Sequence, residues 1–103
     1  MFSPCILVIN NDVKILVNLE AELNQAGYRV LTAHDRRQGI YLAQAARPEV
    51  IVCDAKSSRT ELSKTLAQDS QTASIPFICL SKSFDKHELV ARVNAAIRSH
   101  AVC

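Results

Sequence analysis

Two short apolar runs, each stopping at residues suited to a site, constrain this chain most. Pro48-Glu49-Val50-Ile51-Val52-Cys53-Asp54 begins after a proline and ends on a carboxylate, and Cys5-Ile6-Leu7-Val8-Ile9 ends in Asn10-Asn11-Asp12. Apolar residues in unbroken succession suit strands buried on both faces, as in a parallel sheet covered by helices. Such sheets bind ligands just beyond the carboxyl ends of their strands, which makes Asp54 a candidate site residue. The plainer alternative is that Asp54 only caps the turn or helix that follows.

The segments between the runs supply the helices. Ile15, Leu16, Leu19, Leu23 and Ala26 recur at three- and four-residue steps, while Lys14, Glu20 and Glu22 fall elsewhere. This spacing predicts an amphipathic helix, capped by Asn11 or Asp12 and stopped at Gly27. Tyr28 to Ala33 predicts a strand. His34-Asp35 then caps a second helix, its inner face Ile40, Leu42, Ala43 and Ala46, and Arg47-Pro48 closes it. The order βαβαβ with short connections points to a parallel, helix-covered sheet. Beyond Asp54, a polar loop from Ala55 to Arg59 leads to a third helix capped by Thr60 or Ser58 and running to about Gln68. Its inner face is thin: Leu62, Leu66 and one of Thr65 or Ala67. Asp69 to Ser74 reads as a polar linker and Ile75 to Leu80 as a fourth strand. Asp85 with Glu88 starts a final helix whose stripe is Leu89, Val90, Val93, Ala96 and Ile97.

Composition narrows the functions. A chain of 103 residues with 49% hydrophobic and 21% charged residues, two Gly and three Pro is one globular domain, spanning residues 1–103. The net charge of +2 is small and the basic residues lie among acidic ones, so no nucleic-acid partner is expected. No apolar run approaches membrane-spanning length, and Met1 to Cys5 lacks the pattern of a signal peptide, so the expectation is a cytoplasmic protein with no membrane partner. Cys5, Cys53, Cys79 and Cys103 form no C-x-x-C pair, which argues against zinc and fits reduced thiols. Cys53 and Cys79 fall on adjacent predicted strands and admit a redox pair, but buried structural thiols are the simpler reading. His34, His87 and His100 are dispersed, so no catalytic or metal cluster is visible and no enzyme activity is expected.

The blocks Ile6-Leu7-Val8-Ile9-Asn10-Asn11-Asp12, Ala33-His34-Asp35 through Asp54, Ile75-Pro76-Phe77-Ile78-Cys79-Leu80-Ser81, and Lys82-Ser83-Phe84-Asp85 with Glu88-Leu89 occur in that order. Over about Ile6 to Ser99 the sequence resembles the receiver domains of two-component response regulators. The resemblance implies a flavodoxin-like (CheY-like) α/β fold. It places Asp54 at the phosphoacceptor position, Asn10, Asn11 and Asp12 at an acidic pocket, and Ser81 and Lys82 at the switch positions. The departures are specific. Asn10 and Asn11 stand where the family has two acids, which removes charge from a Mg²⁺ site, and Asp12 is displaced into the helix start. The loop after Asp54 is short. Leu80-Ser81-Lys82 serves as the end of both strand four and strand five, so the helix and strand between them are missing. The expected sheet therefore has four strands in the order 2-1-3-4, with helices on both faces and the last helix beside the first.

These features lead to an atypical, stand-alone receiver domain acting as a protein-interaction module, without cofactor and with at most weak Mg²⁺ binding. Two other readings stand beside it: a single-domain response regulator still phosphorylated at Asp54 by a histidine kinase, and a thiol-based redox sensor using Cys53 or Cys79. The implied partner is a protein, a sensor histidine kinase or another response regulator. Loss of a strand would leave Phe77, Ile78 and Leu80, with Phe84 nearby, as an open apolar edge suited to that partner or to a homodimer. Without a cation, Lys82 is expected to pair with Asp54. Asn10 and Asn11 also have a purely structural role open to them, as turn and cap.

Overall fold

The computed structural model describes residues 4–54, 59–80 and 86–102. Four strands and four helices alternate: β1 (Cys5–Ile9), α1 (Val13–Gln25), β2 (Arg29–Ala33), α2 (Arg36–Ala46), β3 (Val50–Asp54), α3 (Arg59–Gln68), β4 (Phe77–Leu80) and α4 (Lys86–Val102). All strands are parallel and lie in the order β2-β1-β3-β4. The fold is thus the four-stranded α/β sheet, in the order 2-1-3-4, that the resemblance implies. Five residues, 81–85, join β4 to α4. A parallel crossover needs about a dozen, so the sheet among the described residues stops at β4.

Alternation along the strands sorts the core into two layers. Ile6, Val8, Val50, Val52, Ile78 and Leu80 face Leu16, Leu19 and Leu23 of α1 and Leu89 and Val93 of α4. Leu7, Ile9, Ile51 and Cys53 face Ala43 of α2 and Leu62 and Leu66 of α3. Each buried aliphatic side chain stabilises the fold by roughly 1.5–3 kcal/mol. The last helix packs beside the first, as expected.

The helix ends follow local rules. Asp12 is the N-cap of α1, its carboxylate accepting the Lys14 N–H at 2.9 Å. At the other end the Tyr28 N–H donates to the Leu23 carbonyl and the Gly27 N–H to the Asn24 carbonyl, both at 3.0 Å, with Gly27 at φ +95°. This left-handed closure satisfies two carbonyls that the helix leaves open. Asp35 caps α2 by accepting the Gln38 N–H, and the Gln38 amide oxygen accepts the His34 N–H. Arg47 ends α2 in the left-handed region at φ 47°, directly before Pro48.

Some expected details differ. Ala26 and Ala46, read as inward-facing, are exposed, as are Thr65 and Ala67. Ala26 is the C-cap, and Ala46 lies in the last turn as α2 leaves the sheet. Gly39 takes a core position instead: a Cβ there would meet Ile9 Cδ1 at 2.6 Å and Cγ1 at 3.0 Å. The absent side chain lets α2 approach β1 closely. The segment read as a polar linker is a built turn. Asp69 accepts the Gln71 N–H and the Gln44 side-chain amide, and the buried Thr72 hydroxyl donates to the Leu66 carbonyl at 2.6 Å.

Candidate functional site

The carboxyl ends of β1 and β3 meet because Ile9 is in register with Cys53. Asn10 follows Ile9 directly, and Asp54 is the last residue of β3, in register with Leu80 of β4. The backbone therefore brings Asn10 and Asp54 to the same end of adjacent strands, where parallel sheets hold their sites. The Asp54 carboxylate itself lies outside the described residues, as do Ser81, Lys82 and Phe84, and with them the expected Asp54–Lys82 pair.

Asn10, Asn11 and Asp12 have separate surroundings. Asn10 is 4% exposed; its N–H donates to the Ala33 carbonyl at 3.0 Å, and its Oδ1 accepts the Asp12 N–H at 2.8 Å. That Asx turn closes β1 and sets the start of α1. Asn11 and Asp12 are exposed, and the Asp12 carboxylate is engaged on the helix N-terminus. The structural role open to Asn10 in the sequence is thus the one its side chain performs, while the cap falls to Asp12.

Among the described residues, the side chains at the end of β1 do not fit the Mg²⁺ that the fold implies. A small hard cation favours near-octahedral oxygen ligation with carboxylate charge. Here the buried side chain at the end of β1 is a neutral amide whose oxygen already accepts an N–H. The nearest acid in sequence, Asp12, is aimed at Lys14 N. Among the described residues no group of three His, Cys, Asp or Glu is arranged to hold a metal ion.

The β4 edge is more covered than a missing strand suggests. Ile78 and Leu80 are buried beneath α4 with Leu89 and Val93, so the expectation of uncovered side chains at these two positions does not hold. The helix after the short connection crosses the face toward which they point. Phe77 and Cys79, on the opposite face, are half-buried. Phe77 lines a groove of about 300 Å³ with Ile51, Lys64, Ala67 and Thr72. The Ile51 N–H donates to the Pro76 carbonyl at 2.9 Å. In a parallel ladder this turns the backbone groups of Phe77 and Cys79 outward. Arg92 Nη1 of α4 reaches over to donate to the Cys79 carbonyl at 3.4 Å.

Sequence reading missed other features. Val13 and Val17 are 54% and 56% exposed on the first turns of α1, and Tyr41 is exposed on α2. A wider cleft, about 450 Å³, lies at the amino ends of β3 and β4 beside Arg47, Glu49 and Ser74, away from Asp54. At that end the Glu49 carboxylate accepts the Cys5 N–H, and burial pushes the Cys5 thiol pKa up, opposed by Arg29 and assisted by Glu49.

This geometry has close counterparts among solved structures. The chemotaxis response regulator CheY4 of Vibrio cholerae superposes with a TM-score of 0.84, at 23% identity, covering 92% of this chain and 99% of that one. The chain has the receiver-domain fold. A response regulator receiver domain protein from Clostridium thermocellum matches the receiver fold equally, with a TM-score of 0.83 at 20% identity over 96% of this chain and 98% of that one. In sequence the chain is 29% identical over 119 aligned positions to the DNA-binding dual master transcriptional regulator RpaA of Synechocystis, covering 92% of this chain and 49% of RpaA. It spans about half the length of the first curated relatives it matches, whose names are those of transcriptional regulators. No family model matches the chain. The solved structures it matches are those of response regulators and receiver domains.

Proposed function

We propose that this chain is a pseudo-receiver: a protein-interaction module of bacterial two-component signalling rather than an enzyme, and not phosphorylated by the usual Mg²⁺-dependent route. The observation that carries the reading is the Asn10 side chain, a neutral amide spent on the turn into α1 where a cation site needs a carboxylate. Asp12 supports it, because its charge serves the N-terminus of α1. A domain that cannot gather a cation beside Asp54 lacks the charge neutralisation that phosphoryl transfer requires. What remains is a rigid surface with an unpaired strand edge among its described residues, fit to hold a sensor histidine kinase or another response regulator.

The test is a Mg²⁺ titration to low millimolar concentration, followed by amide NMR, with and without beryllofluoride or acetyl phosphate. The expected result is no saturable shift at Asn10 or Asp54 and no phosphoprotein mass. A saturable shift, or one phosphoryl adduct mapped to Asp54, overturns the proposal in favour of a phosphorylated single-domain regulator. As a control, the Asn10→Asp, Asn11→Asp variant is expected to gain measurable Mg²⁺ binding.

A further inference from the structure

The register of the sheet sets Cys53 of β3 directly opposite Cys79 of β4. Both side chains project to the face covered by α2 and α3: Ile51 and Cys53 belong to that core layer, and Phe77, two residues before Cys79, packs against it. Adjacent strands run about 4.8 Å apart, within the Cα separation of roughly 4.4–6.8 Å that a disulfide spans. Side chains of opposed residues in a parallel pair stand side by side without converging, so a bond between them requires the strands to pinch. Disulfides closed under such strain are the more easily reduced ones. The two sulfurs also differ in access: Cys53 is 1% exposed, whereas Cys79 is half-buried on the edge strand.

We propose that Cys53 and Cys79 form a reversible dithiol–disulfide modification site whose co-reactant is a low-molecular-weight disulfide of the glutathione type. Access fixes the order of events. Cys79 loses its proton to solvent and its thiolate attacks one sulfur of the small disulfide; that S–S bond breaks, and one half departs as a thiolate that takes up a proton. Cys53 then loses its proton and attacks Cys79 Sγ, forming the Cys53–Cys79 bond and expelling the second half as a thiol. Two protein thiols are oxidised by two electrons, and the small disulfide is reduced to two thiols. Cys5 stands apart from this pair, because it opens β1 at the opposite end of the sheet, and burial pushes its thiol pKa up. The cross-link would tie the edge strand to β3 one residue before Asp54 and Leu80, which are themselves in register. It does not depend on the pseudo-receiver reading, since no cation or phosphoryl group takes part.

The experiment equilibrates the full chain, and a Cys5→Ala, Cys103→Ala variant in parallel, in glutathione buffers of graded oxidised-to-reduced ratio. Thiols are then trapped with N-ethylmaleimide and mapped by peptide mass. The expected result is that Cys53 and Cys79 lose alkylation together, with a cross-linked Cys53–Cys79 peptide lacking two hydrogens, and that dithiothreitol restores both thiols. Cys53→Ala, checked for folding by circular dichroism, is expected to stop at a stable glutathione adduct on Cys79. The proposal is overturned if Cys79 in the parent chain accumulates as that adduct without a cross-link. It is equally overturned if both thiols remain fully alkylated in the most oxidising buffer.

Discussion

The two faces of the sheet are built to different depths. On one, α1 and α4 bury residues from three strands, β4 included through Ile78 and Leu80. On the other, β4 contributes no buried residue: Phe77 and Cys79 stay half-buried, and the buried cover consists of Gly39 and Ala43 from α2 and two leucines from α3, with Ile40 and Leu42 of α2 partly buried against it. The difference teaches what the placement of α4 does. The helix five residues after β4 lies on the α1 face, so among the described residues the far face receives no third helix over its last strand.

This contrast can be broken by mutation, beginning with the deep face. Leu89→Ala, at a fully buried position between α4 and the sheet, is expected to cost about 3–5 kcal/mol, while Leu62→Ala on the thin face costs about 2–3 kcal/mol because that side collapses or hydrates more readily. Urea denaturation of both variants measures the difference; equal losses would mean the faces are equally packed. Gly39→Ala probes how closely α2 sits on β1. With Ile9 Cδ1 at 2.6 Å from the new methyl, a loss of about 1–3 kcal/mol is expected, and an added Ile9→Val change should recover part of it. Arg47→Gly should act oppositely, gaining about 0.5–1 kcal/mol by relieving a left-handed residue that carries a side chain.

The smallest effect concerns the Asp69 turn. The Gln71 N–H, then the Gln44 amide and the Arg47 charge, hold the Asp69 carboxyl below its ordinary range. A group with a lowered folded pKa contributes stability above its unfolded pKa and loses it as pH falls through the folded value. Acidification below the usual carboxylate range should therefore weaken the turn slightly, and Asp69→Asn should flatten that part of the stability profile. The carboxylate is exposed, so solvent keeps the effect small. An unchanged profile would remove Asp69 from the account.

Much of this fold was legible because its signals are local or repeat along a segment. Val50 to Cys53 and Ile6 to Ile9 read as strands buried on both faces without knowledge of any partner, and Asp12, Asp35 and Gly27 mark helix ends by their own chemistry. What escaped depends on how elements meet. Gly39 offers no apolar signal, and its role exists only because Ile9 lies beneath it. Thr72 sits in a polar stretch, and only the folded turn brings its hydroxyl to the Leu66 carbonyl. Ile78 and Leu80 read as an open edge because nothing in their own segment says where the next helix will lie. At the candidate site, the sequence could name the amides but not divide the work between Asn10, which makes the turn, and Asp12, which makes the cap.

Arg92, reaching from α4 to the Cys79 carbonyl, has a bearing on how the sheet edge meets other chains. An exposed strand edge ordinarily invites any extended segment, and crowded cells are full of them. A newcomer here must first take that carbonyl from a guanidinium. The guanidinium is exposed, so water solvates it once displaced, and an aspartate or glutamate on the incoming segment would add only a screened counter-ion. The contact shields one outward carbonyl of the edge strand from pairing, so that edge is not bare backbone along its described length.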